Sequence, residues 1–537
     1  MTTLRAASLL ACALLGMNSA HADKGVDAET INSIADAGYN HGQVAALAGH
    51  LSDEIGGRMT NSPAMRQAEQ WTQQMFRGWG LKDVHAEPFD FGRGWWIESA
   101  HTRMVAPRSL QLRSIPIAWT PATSGPLTAP IVVAPIRHVR DLAAWQGKVK
   151  GKIVLISYPA APKDETNVAF KRLDDGELGK MNAYHQPQYD PDSERDALKN
   201  AELTLEIERF MAAEGALALV KMSRNDDGLV HGEGYTHKVG ETPALPEVEV
   251  AAEDYRRLAR LAKVGEVKLE IDSKVHFEDK DTNAYNIIAD IPGRDSKAGY
   301  VMAGAHLDSW VAGDGAADNG AGSVVVMEAA RILSSLGIKP KRTIRFALWS
   351  GEEQGLFGSI AYIERHLAKR PVATDPLVAR YPAYFSRTFP VTPLPGFNEL
   401  AAYFNLDNGS GRIRGVYAEG NFAAVPILRN WLSPFDSLDA SRVVAKNTGG
   451  TDHEMMAAIG LPAFQFIQDP LDYGSKVHHT NLDTYDHLRM EDLRQAAVIM
   501  ATVLLQAAES DAPMPHNVLP TQPGATDPFK YRDPAKD

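Results

Sequence analysis

The chain has 537 residues, 44% of them hydrophobic and 23% charged, with a formal net charge of −12. That length is more than one hydrophobic core organises, so several domains are expected. The acidic balance argues against a nucleic-acid partner, which would call for a basic stripe.

Residues 1–22 read as a secretory signal peptide: a positive charge at Arg5, an apolar run over Ala6–Met17 and the small-x-small sequence Ala20-His21-Ala22. The apolar run is shorter than the roughly 20 residues a membrane span needs, and no later stretch is long and apolar enough. The mature chain is therefore expected to be periplasmic or secreted, with no membrane partner. Cys12, the single cysteine, lies in this leader, so any metal in the mature chain must be held by His, Asp and Glu. Such donors suit a hydrolytic zinc centre, whereas structural zinc sites favour thiolates.

Residues 23–114 read as the N-terminal part of a catalytic domain, with an amphipathic helix over Ala64–Trp79. Residues 115–277 read as an inserted β-rich domain. Its short apolar strands are Ile131–Val133, Lys152–Ile156 and Ala216–Val220, the last ended by Lys221. Val248 and Val250, then Val267, Leu269 and Ile271, alternate with polar residues as half-buried strands do, and Lys163–Asn200 reads as a loop with helical pieces. Residues 278–510 alternate strand and helix: strands Asn286–Ile291, Tyr300–Ala305, Thr343–Trp349, Ala401–Leu406 and Ala463–Ile467, with helices over Gly320–Leu336, Phe357–His366 and Glu491–Ala508. The expected fold is α/β, a mixed central sheet covered by helices, plus the inserted β-rich domain. The Pro-rich polar tail 511–537 reads as disordered.

Chemistry collects at the ends of these strands. His306-Leu307-Asp308 follows one, Asp318-Asn319 opens the next helix, Glu352-Glu353 follows another strand, Asp407 a further one, and His478-His479-Thr480 comes after the last. Ligands in open α/β sheets bind beyond the carboxyl ends of strands, so these groups converge. Singly each is a loop residue or a helix start; together they supply donors for two divalent cations. Two such ions about 3.5–4 Å apart need an anionic bridge, and Asp318 suits it. His306 and Asp407 would complete one metal, Glu353 and His479 the other. Glu352 would be the general base, since neighbouring side chains diverge, and Asp308 would orient the imidazole of His306.

The blocks His306-Leu307-Asp308-Ser309-Trp310, Gly315-Ala316-Ala317-Asp318-Asn319-Gly320, Leu348-Trp349-Ser350-Gly351-Glu352-Glu353-Gln354-Gly355, Gly450-Thr451-Asp452-His453 and His478-His479-Thr480 resemble, in order, the M28 family of metallopeptidases, and most of all its carboxypeptidase Q branch. That resemblance implies a zinc-peptidase core, two zinc ions per chain on the five ligands above, a protease-associated domain for the insert, short peptide substrates, a homodimer, and a cis peptide at Asp318–Asn319. His478 stands where several members have a tyrosine that polarises the substrate carbonyl; His478 and His453 are both candidates for that role. Arg412, Arg414 and Thr451 are candidates for holding a terminal carboxylate. Hydrolysis of dipeptides or short peptides is the expected activity, with an aminopeptidase as the alternative. A receptor-like protein without metals and a single-zinc glutaminyl cyclase fit less well, because every ligand and the base are present. Arg370–Glu399, long and Pro-rich, reads as a surface insertion, with a cover over the active site as the alternative.

Overall fold

The computed structural model describes residues 26–162, 168–183, 191–374 and 388–521, with the backbone alone over 191–198. Residues 1–25, which include the expected leader, and the last sixteen residues lie outside the described residues, as do parts of the Lys163–Asn200 and Arg370–Glu399 segments.

Two eight-stranded sheets organise the chain. In chain order the strands are β1 (Lys82–Asp90), β2 (Gly94–Ala106), β3 (Leu110–Leu112), β4 (Ser114–Pro116), β5 (Leu127–Val133), β6 (Ile153–Leu155), β7 (Ala218–Met222), β8 (Glu247–Val250), β9 (Lys268–Glu278), β10 (Asn283–Ile291), β11 (Tyr300–His306), β12 (Thr343–Trp349), β13 (Ala368–Lys369), β14 (Thr392–Pro393), β15 (Leu400–Asn405), β16 (Ile413–Tyr417), β17 (Arg442–Val444) and β18 (Ala463–Gln468). The first sheet runs β1-β10-β12-β11-β15-β18-β16-β17, the second β3-β2-β9-β5-β6-β7-β8-β4.

At the centre of the first sheet β12, β11, β15 and β18 are parallel, in registers that set Trp349 beside His306 and Asn405 beside Gln465. Their carboxyl ends therefore share one edge. Both faces of these strands are apolar, as a sheet covered on two sides requires. On one face the helices Ala321–Ser335 and Met490–Glu509 pack over Val301, Ala303 and Phe404; on the other lie Met302, Trp349, Tyr362 and Tyr403. The helix expected over Ala64–Trp79 spans Pro63–Gly78. Ser62 caps it by accepting from Met65 N–H, and Pro63 sits in its first turn, where no N–H is needed.

Three sequence expectations change. Strands β2 and β3, read within the N-terminal part of the catalytic region, instead belong to the second sheet, where β2 pairs with β9 on one side and with β3 on the other. Strand β7 does not stop at Val220. It runs through Lys221, whose ammonium lies 2.8 Å from the buried Glu247 carboxylate, so a charge that should have ended the strand is neutralised within it. The start of the tail is packed rather than disordered: Met514 is buried and its N–H donates to Ala401, while Asn517 N–H donates to Gly460. Among the described residues no helix is long and apolar enough to cross a membrane.

Candidate metal centre

His306 is the last residue of β11. Glu352 and Glu353 follow β12 by three and four residues, and Asp407 follows β15 by two. His479 comes eleven residues after β18, on a loop where its own φ is +62°. That left-handed conformation costs a non-glycine residue about 1–2 kcal/mol, so the loop must be held from outside. Asp318 lies in the irregular turn before the helix Ala321–Ser335, and the Asp318–Asn319 peptide is cis, as the resemblance implied.

The five expected ligands meet. His306 Nε2 is 3.4 Å from Asp318 Oδ1 and 3.5 Å from Asp407 Oδ1; His479 Nε2 is 3.3 Å from Asp318 Oδ2 and 3.0 Å from Glu353 Oε2. Donors held tetrahedrally at zinc-ligand distances lie about 3.3–3.6 Å from one another. The spacing thus suits two small divalent cations with Asp318 between them, His479 and Glu353 being slightly closer than that.

Burial makes the same point. His306 Nε2, Asp318 Oδ2, Glu353 Oε1 and Asp407 Oδ1 are buried without hydrogen-bond partners. Buried polar atoms are nearly always satisfied, so four orphans converging on one space fit a missing ligand. The electrostatics agree. Burial opposes the charged form of His306, yet Asp407, Glu352 and Asp318 outweigh it and hold its imidazolium well above the usual range. His479, against the same burial, is raised to about 11 by Glu353, Glu233 and Asp318. A cluster that pulls protons onto its histidines lacks positive charge, which divalent cations would supply.

Glu352 stands apart from Glu353. Its Oε2 is 3.8 Å from His306 Nε2, and burial raises its carboxyl well above the usual range, with Asp407, Asp452 and Glu353 adding to this against His306. Asp308 works differently from the sequence expectation. The Nδ1 of His306 donates to the Asp308 carbonyl at 2.9 Å, while the Asp308 carboxylate accepts from Glu352 N–H and Glu353 N–H at 3.3 Å each and from the Thr60 hydroxyl at 3.0 Å. The imidazole is oriented by main chain, and the side chain orients the neighbouring acidic pair.

His478 lies at the rim, its ring stacked on His479 at 3.7 Å and its Nε2 3.7 Å from Asp318 Oδ2. Burial lowers its pKa, which favours the neutral imidazole. His453 does not join the cluster: it is fully buried with Nε2 3.2 Å from Glu419 Oε1. Arg412 and Arg414 pair with Asp469, and Arg414 also with Asp439, so neither guanidinium waits for a carboxylate. The Thr451 hydroxyl is buried and accepts from Asn405.

Four residues escaped the sequence reading. Arg58, fully buried, donates to the carbonyls of Leu307, Gly56, Asp314 and Gly315, pinning both loops that carry His306 and Asp318. Asp483 accepts from Ala317 N–H at 2.6 Å and Asp318 N–H at 3.1 Å. Glu233 accepts from His479 Nδ1 at 2.7 Å; burial would raise its carboxyl, but His479 and Arg224 hold it at about 2. Tyr473 packs its ring against His478, and burial together with Asp318, Asp407 and Glu353 raises its hydroxyl well above the usual range. None lies in a recognisable motif; each acts through a tertiary contact.

Residues 286–504 match the family model for Peptidase family M28. Carboxypeptidase Q from Mus musculus is 24% identical over 473 residues, covering 87% of this chain and 86% of the mouse protein. Among solved structures, the peptidase M28 precursor from Shewanella amazonensis SB2B aligns with a TM-score of 0.64 at 24% identity, over 92% of this chain and 99% of that one. A zinc aminopeptidase from Bacillus subtilis aligns with a TM-score of 0.54 at 20% identity, over 86% and 93%. All five converging donors and Glu352 fall inside the span that the family model matches, so geometry and likeness describe the same site: residues 286–504 are similar to peptidase family M28, and the chain is a metallopeptidase.

Proposed function

We propose that this chain is an exported di-zinc exopeptidase that hydrolyses dipeptides or short peptides at a terminal bond. The observation that carries the reading is the set of four buried, unpartnered donor atoms arranged around Asp318. His306 and Asp407 would hold one zinc, Glu353 and His479 the other, and Asp318 both. The ions would acidify a water between them and polarise the scissile carbonyl. Glu352 takes the proton of the attacking water and passes it to the leaving amine, a role supported by its burial beside His306 and Asp407 and by its raised carboxyl. His478, neutral and half exposed, donates to the carbonyl oxygen as negative charge develops there. The exposed Tyr235 ring, backed at 5.6 Å by the buried Trp310 ring that itself lies 6.1 Å from His479, offers an aromatic face on which a substrate side chain can rest. Likeness to carboxypeptidase Q over most of both chains favours dipeptides. Export rests on the leader-like residues 1–22.

The test is a panel of unblocked dipeptides set against amino-blocked and carboxyl-blocked versions, with products identified by mass spectrometry and zinc counted per chain. Cleavage that needs a free carboxyl end supports the dipeptidase reading. Cleavage indifferent to that end but dependent on a free amine makes the enzyme an aminopeptidase. Fewer than two zinc ions in active protein refutes the two-ion mechanism.

A further inference from the structure

His479 sits on the first sheet's side of the molecule, but its partner does not. Glu233 belongs to the connection between β7 and β8 of the second sheet. The segment carrying it is built to reach across. The Glu253 carboxylate accepts from Asp227 N–H and Gly228 N–H, and the Glu249 carboxylate accepts from His231 N–H and Gly232 N–H, which anchors the segment on its own sheet. Gly232 has φ +72°, and a Cβ there would come within 3.0 Å of Pro116 O, so the turn before Glu233 depends on glycine.

From that anchor the segment grips the His479 loop at three places. Lys476 Nζ is 3.2 Å from Asp227 Oδ2. Val230 N–H donates to Asn481 Oδ1 at 2.9 Å, and Asn481 N–H donates back to Val230 O at 3.1 Å. His479 Nδ1 donates to Glu233 Oε1, and Arg224 locks the same carboxylate through two bonds of 2.7 Å. With Nδ1–H committed to Glu233, Nε2 is the atom left facing Asp318 and Glu353. This is the external hold that the left-handed His479 backbone requires.

We infer that Glu233 is a positioning residue of the metal centre, and that the second sheet thereby completes the Glu353–His479 side of it. The inference rests on the two-zinc reading above. A carboxylate on the far nitrogen of a ligating imidazole fixes its tautomer and ring angle and raises its basicity, and losing such a partner typically weakens metal binding about 10–100-fold. The effect should fall on one ion only, because His306 and Asp407 have no contact with this segment among the described hydrogen bonds.

The experiment measures zinc affinity, ion by ion, by titrating wild-type holoenzyme, Glu233→Gln, Glu233→Ala and Arg224→Ala with a competing chelator. Cobalt-substituted samples report the two coordination spheres by absorption. The expected result is a loss of about 10–100-fold for one zinc in Glu233→Ala, a smaller loss in Glu233→Gln and Arg224→Ala, and a change in the cobalt spectrum confined to that ion. Should Glu233→Ala fail to fold, the isosteric Glu233→Gln carries the measurement. Wild-type affinity at both ions overturns the inference, as does equal weakening of both with a matching fall in Tm, the mark of general loosening. Wild-type protein that binds fewer than two zinc ions refutes the two-zinc reading instead, and the two failures are thus told apart.

Discussion

Adjacent glutamates with opposite duties give the sharpest prediction. Glu352→Gln keeps the side chain's size, and the N–H groups of residues 352 and 353 still reach the Asp308 carboxylate at 3.3 Å, so fold and zinc content should be those of the wild type. What disappears is the proton acceptor. General-base catalysis contributes roughly a hundred- to ten-thousand-fold, so kcat should fall by that factor, about 3–5 kcal/mol of barrier at about 1.36 kcal/mol per tenfold. Glu353→Gln differs by one position and should behave otherwise. Its Oε2 is 3.0 Å from His479 Nε2 and its Oε1 has no other partner, so removing the charge removes a donor and the protein should lose zinc. The assay pairs initial rates on an unblocked dipeptide with zinc per chain by mass spectrometry and with circular dichroism as a check on folding. Glu352→Gln losing zinc, or Glu353→Gln keeping a full complement with only a slower rate, would reverse the two assignments and refute the reasoning.

Other outcomes follow from the same contacts. Asp483→Ala strands the N–H groups of Ala317 and Asp318 at about 1–3 kcal/mol each, so Tm and zinc retention should fall together; wild-type values for both would show that the clasp does nothing. Dialysis at falling pH should strip zinc, because protons compete for the same imidazoles and carboxylates and affinity rises with pH; zinc content that is equal at pH 5 and pH 8 would contradict this. Lys221→Met should cost about 3–5 kcal/mol by leaving Glu247 buried and unpaired, and adding Glu247→Met should recover most of it in a denaturant melt. Strong chelators should abolish activity, and thiol reagents should leave it unchanged, since the chain's single cysteine, Cys12, lies in the expected leader and outside the metal centre.

Much of the centre could be read from the sequence because β-strand periodicity and strand-end chemistry are local signals. His306, Glu352, Glu353 and Asp407 each stand within four residues of a strand that its own apolar pattern announces. His479 does not, being eleven residues past β18, so it is placed by its order after the last strand and by the ligand set it completes rather than by an adjoining strand. His453 shows the limit of motif reading: it stands next to Asp452, whose carboxyl feels the charges of His306 and Asp407, yet its own ring turns to Glu419. Lys221 shows a rule of composition defeated by a partner 26 residues away. Arg58, Asp483 and Glu233 carry no local signal, since what defines each is a tertiary partner 165 to 257 residues away.

Those three share a physical logic. None is placed to bind metal, and each spends its charge on the groups that fix a ligand in place. Arg58 answers main-chain carbonyls of the His306 and Asp318 loops, Asp483 answers main-chain amides beside Asp318, and Glu233 answers the far nitrogen of His479. Carbonyls gather around a buried cation and amides around a buried anion because each charge would otherwise be unsolvated. In satisfying these charges the fold fixes the loops that carry the donors. Asp318, His306 and His479 can therefore stand at cation-binding separations before any ion arrives, and binding need not pay to order the loops. Without metal the crowded acidic site favours protons, on His306 and His479 and on the raised carboxyls of Glu352 and Glu353, and an arriving cation competes with those protons.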